Sequence, residues 1–128
     1  IFSLQDKLVE KDYVTAKLYY DLGTYTGNAS MTSDGRINGN NFLACITTAQ
    51  NILKDYPYTG MREEISILLL RAKYKLGSES VLEKKEERMR DAIDEYYSFK
   101  NEFPESKYTK EVENIYKDAS KYVKELNE

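Results

Sequence analysis

Few side chains in this sequence are of the types that carry out reactions, and the missing types decide as much as those present. There is no histidine among the 128 residues. That removes Ser–His and Cys–His nucleophile systems, the usual zinc and di-iron sites, and the commonest general base. One cysteine, Cys45, lies in an apolar run beside Phe42, Ile46 and Ala49. It reads as a small buried hydrophobe rather than a reactive thiol, and it has no second cysteine with which to form an internal disulfide. Carboxylates crowd at Asp91, Asp94 and Glu95, and again at Glu63 and Glu64. Two carboxyls can divide acid and base roles when a cleft raises one pKa. Here Arg88, Arg90 and Lys100 stand close in sequence, and a solvated helix surface is the expected reading. No constellation points to catalysis, so the chain is read as non-enzymatic, with no metal and no cofactor.

The stretch Thr24 to Asn40, TYTGNASMTSDGRINGN, offers the other candidate for ligand chemistry. As a calcium loop starting at Asp34 it would place Arg36 third and Cys45 twelfth, where oxygen ligands and a bidentate Glu are needed. The match fails. Asn38-Gly39 is a turn signal suited to the tip of a small hairpin, and the rest is expected to be a loop that a partner could order. Tyrosine is over-represented, with 12 residues and no Trp. Tyrosine joins a broad apolar face to a polar tip and suits peptide contacts, which singles out Tyr58, Tyr97 and Tyr108. Tyr13, Tyr20, Tyr74, Tyr96 and Tyr116 fall on helical stripes and are expected to fill layers between helices.

The elements that must position these groups are helices. The chain has only two prolines, and its apolar residues recur at steps of three and four. Val9, Tyr13, Ala16 and Tyr20 draw one stripe. Ala92, Tyr96, Phe99 and Phe103 draw another, and Val112, Ile115 or Tyr116, Ala119 and Val123 a third. Punctuation predicts helices over Leu4–Leu22 (stopped by Gly23), Asn41–Asp55 (stopped before Pro57), Met61–Leu76 (stopped at Gly77), Glu86–Glu102, and Ser106–Leu126 with Ser106 as N-cap. With 41% hydrophobic residues the chain can form a core. Its 19 basic and 22 acidic residues give a net charge of −3, and the absence of a sustained basic face argues against nucleic acid. No apolar run approaches the roughly 18 residues of a membrane span.

The chain repeats itself. A shift of 47 (93 − 46) places Ile46 on Ile93, Pro57 on Pro104, Glu64 on Glu111 and Ala72 on Ala119. Cys45/Ala92, Ile52/Phe99, Tyr56/Phe103, Thr59/Ser106 and Leu68/Ile115 fall in the same register. The unit is a helix, then aromatic-Pro-x-Thr/Ser, then a second helix, which reads as a solenoid array. Each position has a packing reason: small residues where helices approach, proline to end one helix, and a hydroxyl to satisfy free N–H groups at the next. The predicted fold is all-α, a short right-handed stack of about five antiparallel helices. It divides into 1–60, a first repeat with a long internal loop at 24–40; 61–105, a second repeat; and 106–128, a closing helix. That helix is expected to expose Lys117, Lys121 and Lys124 with Glu113 and Glu125.

An aromatic-Pro turn with a small residue twelve before it, an aromatic eight before and a large apolar residue five before resembles the tetratricopeptide repeat. Ala92, Tyr96, Phe99 and Pro104 fit that pattern, and Cys45, Ala49, Ile52 and Pro57 fit it with a smaller middle residue. More closely, AKLYYDLG, LKDYPYTGMREE and SVLEKKEERMRDAIDEYYSFKNEFPESKY resemble the BamD family of outer-membrane assembly lipoproteins, over about Ala16 to Lys121. The resemblance corresponds to the C-terminal half of such proteins, and the chain, opening at Ile1 without signal peptide or lipobox, is read as a fragment. The resemblance implies a scaffold at the periplasmic face of the outer membrane, held by an N-terminal lipid anchor that this chain does not carry. Its implied partners are the periplasmic domains of the barrel-assembly protein and accessory lipoproteins. Two departures stand out: the polar stretch 26–40 is far longer than a repeat turn, and the N-terminal repeats are missing.

Around the first Tyr-Pro turn, Thr48, Lys54, Tyr58, Arg62 and Glu63 are the expected protein-binding residues, with Tyr97 added from its off-stripe position. A double change of Tyr58→Ala with Arg62→Glu is expected to weaken docking without loss of helix. The alternative function is a helical outer-membrane lipoprotein that captures glycan or peptide through its Asn/Gly-rich loop. The lack of Trp, the usual sugar-stacking platform, counts against a glycan.

Overall fold

A computed structural model describes residues 4–26, 30–31, 37–38, 41–78 and 82–126. Among them are five helices: α1 (Leu4–Thr26), α2 (Asn41–Asp55), α3 (Arg62–Ser78), α4 (Leu82–Glu102) and α5 (Thr109–Leu126). The fold is all-α. Each helix packs chiefly on its neighbours in sequence, with lesser contacts of α3 to α5 and of α1 to α3. The helices therefore form a row of short-range contacts, as a solenoid does. Between α1 and α2, Ser30–Met31 (β1) pairs antiparallel with Ile37–Asn38 (β2), Ser30 opposite Asn38. The hairpin foreseen in this stretch is present, but Asn38 sits within its second strand rather than at the tip. The other loop residues lie outside the described residues.

Two clusters make the core. Val9, Ala16, Phe42, Cys45, Ala49, Ile65 and Ala72 are fully buried in the first, joining α1, α2 and α3. Ile67, Leu70, Tyr96, Phe99, Val112 and Ile115 form the second, joining α3, α4 and α5. Thus α3 is apolar on two opposite sides. Burying one Ile or Phe side chain contributes about 1.5–3 kcal/mol, so α3, with seven residues divided between the clusters, ties the two halves into one body.

The 47-residue repeat holds down to individual hydrogen bonds. At the first turn, Tyr56 N–H donates to Ile52 O (2.8 Å), Thr59 N–H to Tyr56 O (3.2 Å) and Arg62 N–H to Thr59 O (3.3 Å). At the second, Phe103 N–H donates to Phe99 O (2.8 Å), Ser106 N–H to Phe103 O (3.2 Å) and Thr109 N–H to Ser106 O (3.2 Å). The hydroxyl caps match as well: Met61 N–H donates to Thr59 Oγ1 (3.2 Å) and Tyr108 N–H to Ser106 Oγ (3.1 Å). Proline ends one helix, two three-residue turns follow, and the hydroxyl supplies an acceptor that the backbone lacks.

Four expected boundaries move. α1 runs through Gly23 and α3 through Gly77, because one helical glycine costs only about 1 kcal/mol and packing outweighs it. Gly77 has a positive role. A Cβ there would stand 3.2 Å from Met89 Sδ and 3.3 Å from the backbone C of Arg88 and N of Met89, so the missing side chain lets α4 cross α3 closely. α4 starts at Leu82 rather than Glu86, since the Lys/Glu/Arg run is made of good helix formers and carries an Arg90–Glu86 pair one turn apart at 2.9 Å. α5 starts at Thr109 rather than Ser106, with Ser106 capping the turn that leads into it.

Candidate functional site

The two proline turns lie at the same end of the stack and are tied together by side chains. Ser106 Oγ donates to Glu63 Oε1 at 2.6 Å. Arg62 reaches Pro57 O at 2.9 Å with one nitrogen and pairs with Glu102 through another. Further along α3, Arg71 makes a two-pronged pair with Glu111 at 2.5 and 2.7 Å, and its guanidinium lies 5.4 Å from the centre of the Tyr108 ring. That pairing raises the Arg71 pKa, the Glu111 hydrogen bond being the largest cause. Between the turns is an open depression of about 470 Å³ walled by Glu63, Phe103, Pro104, Ser106 and Lys107. Tyr58 projects beside the first turn with 98% of its surface exposed, and Lys54 is exposed at the end of α2.

The sequence-predicted residues therefore divide. Tyr58 and Lys54 are free to meet a partner. Arg62 and Glu63, the other expected contact residues of this turn, brace the two turns. An Arg62→Glu change would set a carboxylate against Glu102, so it removes a brace of the turn end as well as a candidate contact. Thr48 lies away from this end. It lines a shallow depression of about 380 Å³ with Tyr19, Leu43 and Thr47; Leu43 and Thr47 also line a groove of about 220 Å³ with Lys73, Leu76 and Asp91. Tyr97 belongs to a third place. Its ring is edge-on to Tyr96 and Tyr116, with centres 5.2 and 5.6 Å away, and Tyr96 stacks on Tyr116 at 4.4 Å.

Within this aromatic group, Tyr97 OH donates to Tyr116 OH at 3.0 Å. The bond raises the pKa of the donor Tyr97 and lowers that of Tyr116, whose phenolate it would stabilise. Burial, followed by a hydrogen bond to Glu113, pushes Tyr96 up to about 12. Tyr13 and Tyr20 pack in the first cluster and Tyr74, Tyr96 and Tyr116 in the second, as their stripes predict. Tyr108 is half-buried in the second cluster, which corrects its reading as an exposed anchor.

Two carboxylates also depart from the solvated reading. Glu95 is mostly buried, 3.8 Å from Lys73, and burial raises its pKa although Lys73 pulls the other way. Glu113 turns toward α4 to meet Lys100 at 3.0 Å, while Lys117 and Lys121 stay exposed; the side chains of Lys124 and Glu125 lie outside the described residues. Cys45 is fully buried, and burial lifts its thiol to about 12. Among the described residues no three His, Cys, Asp or Glu side chains gather as a metal site. No helix there is long and apolar enough to cross a membrane.

The bracing pairs were invisible to sequence reasoning because the partners stand 40 or 43 positions apart. One signal was available: Arg62/Glu102 and Arg71/Glu111 share the same offset of 40, as a repeat geometry requires. Compared with protein-family models and with curated proteins, the chain matches none.

Proposed function

We propose that this chain is a non-enzymatic protein-interaction scaffold, a BamD-like component of the machinery that assembles outer-membrane β-barrel proteins. The observation that carries the scaffold reading is the duplicated proline turn. It recurs at 57 and 104 with the same hydrogen bonds and holds helices in a row whose turn end is braced and presents Tyr58. A surface fixed by ion pairs and caps loses little freedom on binding, which favours affinity. The outer-membrane assignment, the periplasmic location as a lipid-anchored protein, and the partners rest on the resemblance in LKDYPYTGMREE and the α4 segment. On this reading the partners are the periplasmic domains of the barrel-assembly protein and accessory lipoproteins, which dock on the turn end.

Calorimetric titration of the chain with the soluble periplasmic domains of the barrel-assembly protein tests this reading. Saturable binding near one to one is expected. Tyr58→Ala should weaken it roughly tenfold or more, as loss of an exposed aromatic anchor does, with helix content unchanged because Tyr58 is almost wholly exposed. No heat from a folded chain would refute the partner. Binding that is indifferent to Tyr58→Ala would refute the face.

A further inference from the structure

Across the seam between α4 and α5 the fold brings two phenols together at the surface. Tyr97 is on α4 with 54% of its surface exposed, and Tyr116 is half-buried on α5. Their rings meet edge to face with centres 5.6 Å apart, and the Tyr97 hydroxyl donates to the Tyr116 oxygen at 3.0 Å in an exposed setting. A buried tyrosine needs a protein partner for its hydroxyl because water cannot reach it. These two hydroxyls are within reach of water and are nevertheless held on one another. Among the described residues, every ring contact between two tyrosines falls in this group of Tyr96, Tyr97 and Tyr116, although the chain has 12 tyrosines.

Two phenols placed in this way can be joined by a one-electron oxidant. Two equivalents of it take one electron from each phenol, and each phenol releases its hydroxyl proton to water. The two phenoxyl radicals then pair through ring carbons beside their oxygens, forming one carbon–carbon bond. The hydrogens on those carbons move to the oxygens, restoring both phenols, so the chain loses two hydrogens in all and the oxidant gains two electrons. The reacting carbons flank the hydroxyls, the parts of the rings that the 3.0 Å contact holds together. Hydrogen bonds from Tyr97 and Ser120 lower the Tyr116 pKa, and a phenol that ionises more readily is more readily oxidised. Tyr96 is placed differently. It stacks on Tyr116 at 4.4 Å, but it is only 7% exposed, and burial together with a hydrogen bond to Glu113 holds its proton to a pKa of about 12.

We propose that Tyr97 and Tyr116 are an oxidative modification site, joined by a one-electron oxidant into an intrachain dityrosine bond between α4 and α5. The two residues are 19 positions apart, and the chain between them contains the second proline turn, Phe103–Ser106. The bond closes that turn into a covalent loop and, like a disulfide, restricts the unfolded chain. The proposal does not depend on the scaffold reading, since it needs no partner protein.

Photo-oxidation of the dilute 128-residue chain by a ruthenium tris-bipyridyl complex with persulfate tests it. Tyr58→Phe serves as the parent, because Tyr58 is 98% exposed and would couple between chains. The monomer fraction should gain dityrosine fluorescence and lose the mass of two hydrogens. After trypsin, tandem mass spectrometry should find DAIDEYYSFK linked to EVENIYK. Added to that parent, Tyr97→Phe and Tyr116→Phe should each abolish the link, whereas Tyr96→Phe should leave it in place. Circular dichroism of each variant checks that the helices persist. Monomer whose tyrosines are oxidised but unlinked would overturn the proposal. A link that survives Tyr97→Phe, or disappears with Tyr96→Phe, would overturn Tyr97 as the partner of Tyr116.

Discussion

The duplicated turns supply an internal control that a single turn cannot. Thr59 and Ser106 occupy the same place 47 residues apart, and each hydroxyl accepts from the N–H two residues on, at 3.2 and 3.1 Å. Ser106 does one thing more: it donates to the Glu63 carboxylate at 2.6 Å. Removing a hydroxyl cap costs about 1 kcal/mol. A hydrogen bond to a charged group contributes about 1.5–3 kcal/mol when shielded from water. Ser106 and Glu63 are both half-buried, so about 1 kcal/mol is the appropriate share. Thr59→Ala should therefore cost about 1 kcal/mol and Ser106→Ala about 2 kcal/mol. With a urea dependence of about 1.5 kcal/mol per molar, the unfolding midpoint should fall by about 0.7 M and about 1.3 M respectively. Far-UV circular dichroism during urea titration reads both. Adding Glu63→Ala to Ser106→Ala closes a double-mutant cycle whose coupling should equal the difference between the two turns. If Ser106→Ala costs no more than Thr59→Ala, or the cycle shows no coupling, the two turns are not braced through Glu63 and the rigid turn end loses its basis.

Other consequences can be checked with the same titration. Gly77→Ala should destabilise the chain, because the added Cβ meets α4 backbone atoms at 3.3 Å and the cost of overpacking, about 1–3 kcal/mol, exceeds the roughly 1 kcal/mol gained in helix propensity; a more stable variant would show that α4 yields. The Cys45 thiol is raised from 9.0 to about 12 in the fold. Its contribution is fully present below pH 9 and is lost as pH rises toward 12, since the unfolded thiol ionises first. Cys45→Ala should accordingly show a shallower alkaline decline than the parent, and equal slopes would contradict the burial. For Glu95, also raised by burial, the carboxyl's stabilising contribution is present below the unfolded value of 4.5 and is lost as pH rises through the folded value. Glu95→Gln should thus flatten the fall in stability as pH rises above 4.5, and an unchanged profile would show that Lys73 fully compensates the charge.

How much of this was legible in the sequence depends on the range over which each feature is determined. Pro57 and Pro104 act on adjacent residues, and α2 ends at Asp55 as they require. The stripes act over a few turns, and Val9, Ala16, Ala92, Phe99, Val112 and Ala119 are all buried as their spacing predicts. Glycine misled because its local effect is weak. Gly77 matters through α4, which arrives twelve residues later at Met89. The bracing role of Arg62 and Glu63 was hidden for the same reason, since Glu102 and Ser106 become their neighbours only once the second turn packs beside α3. Tyr58 lies off the stripes, and it is exposed as that position predicts.

The same distinction explains why the segment that forms α3 shows no single apolar stripe in the sequence. A helix inside a row must satisfy two neighbours, so its apolar residues spread over two sides and its one-sidedness falls. A helix at the end of a row has one neighbour and keeps polar residues on its other side, as α5 does. α3 carries Ile65, Leu68 and Ala72 toward α1 and α2, and Ile67, Leu70 and Tyr74 toward α4 and α5.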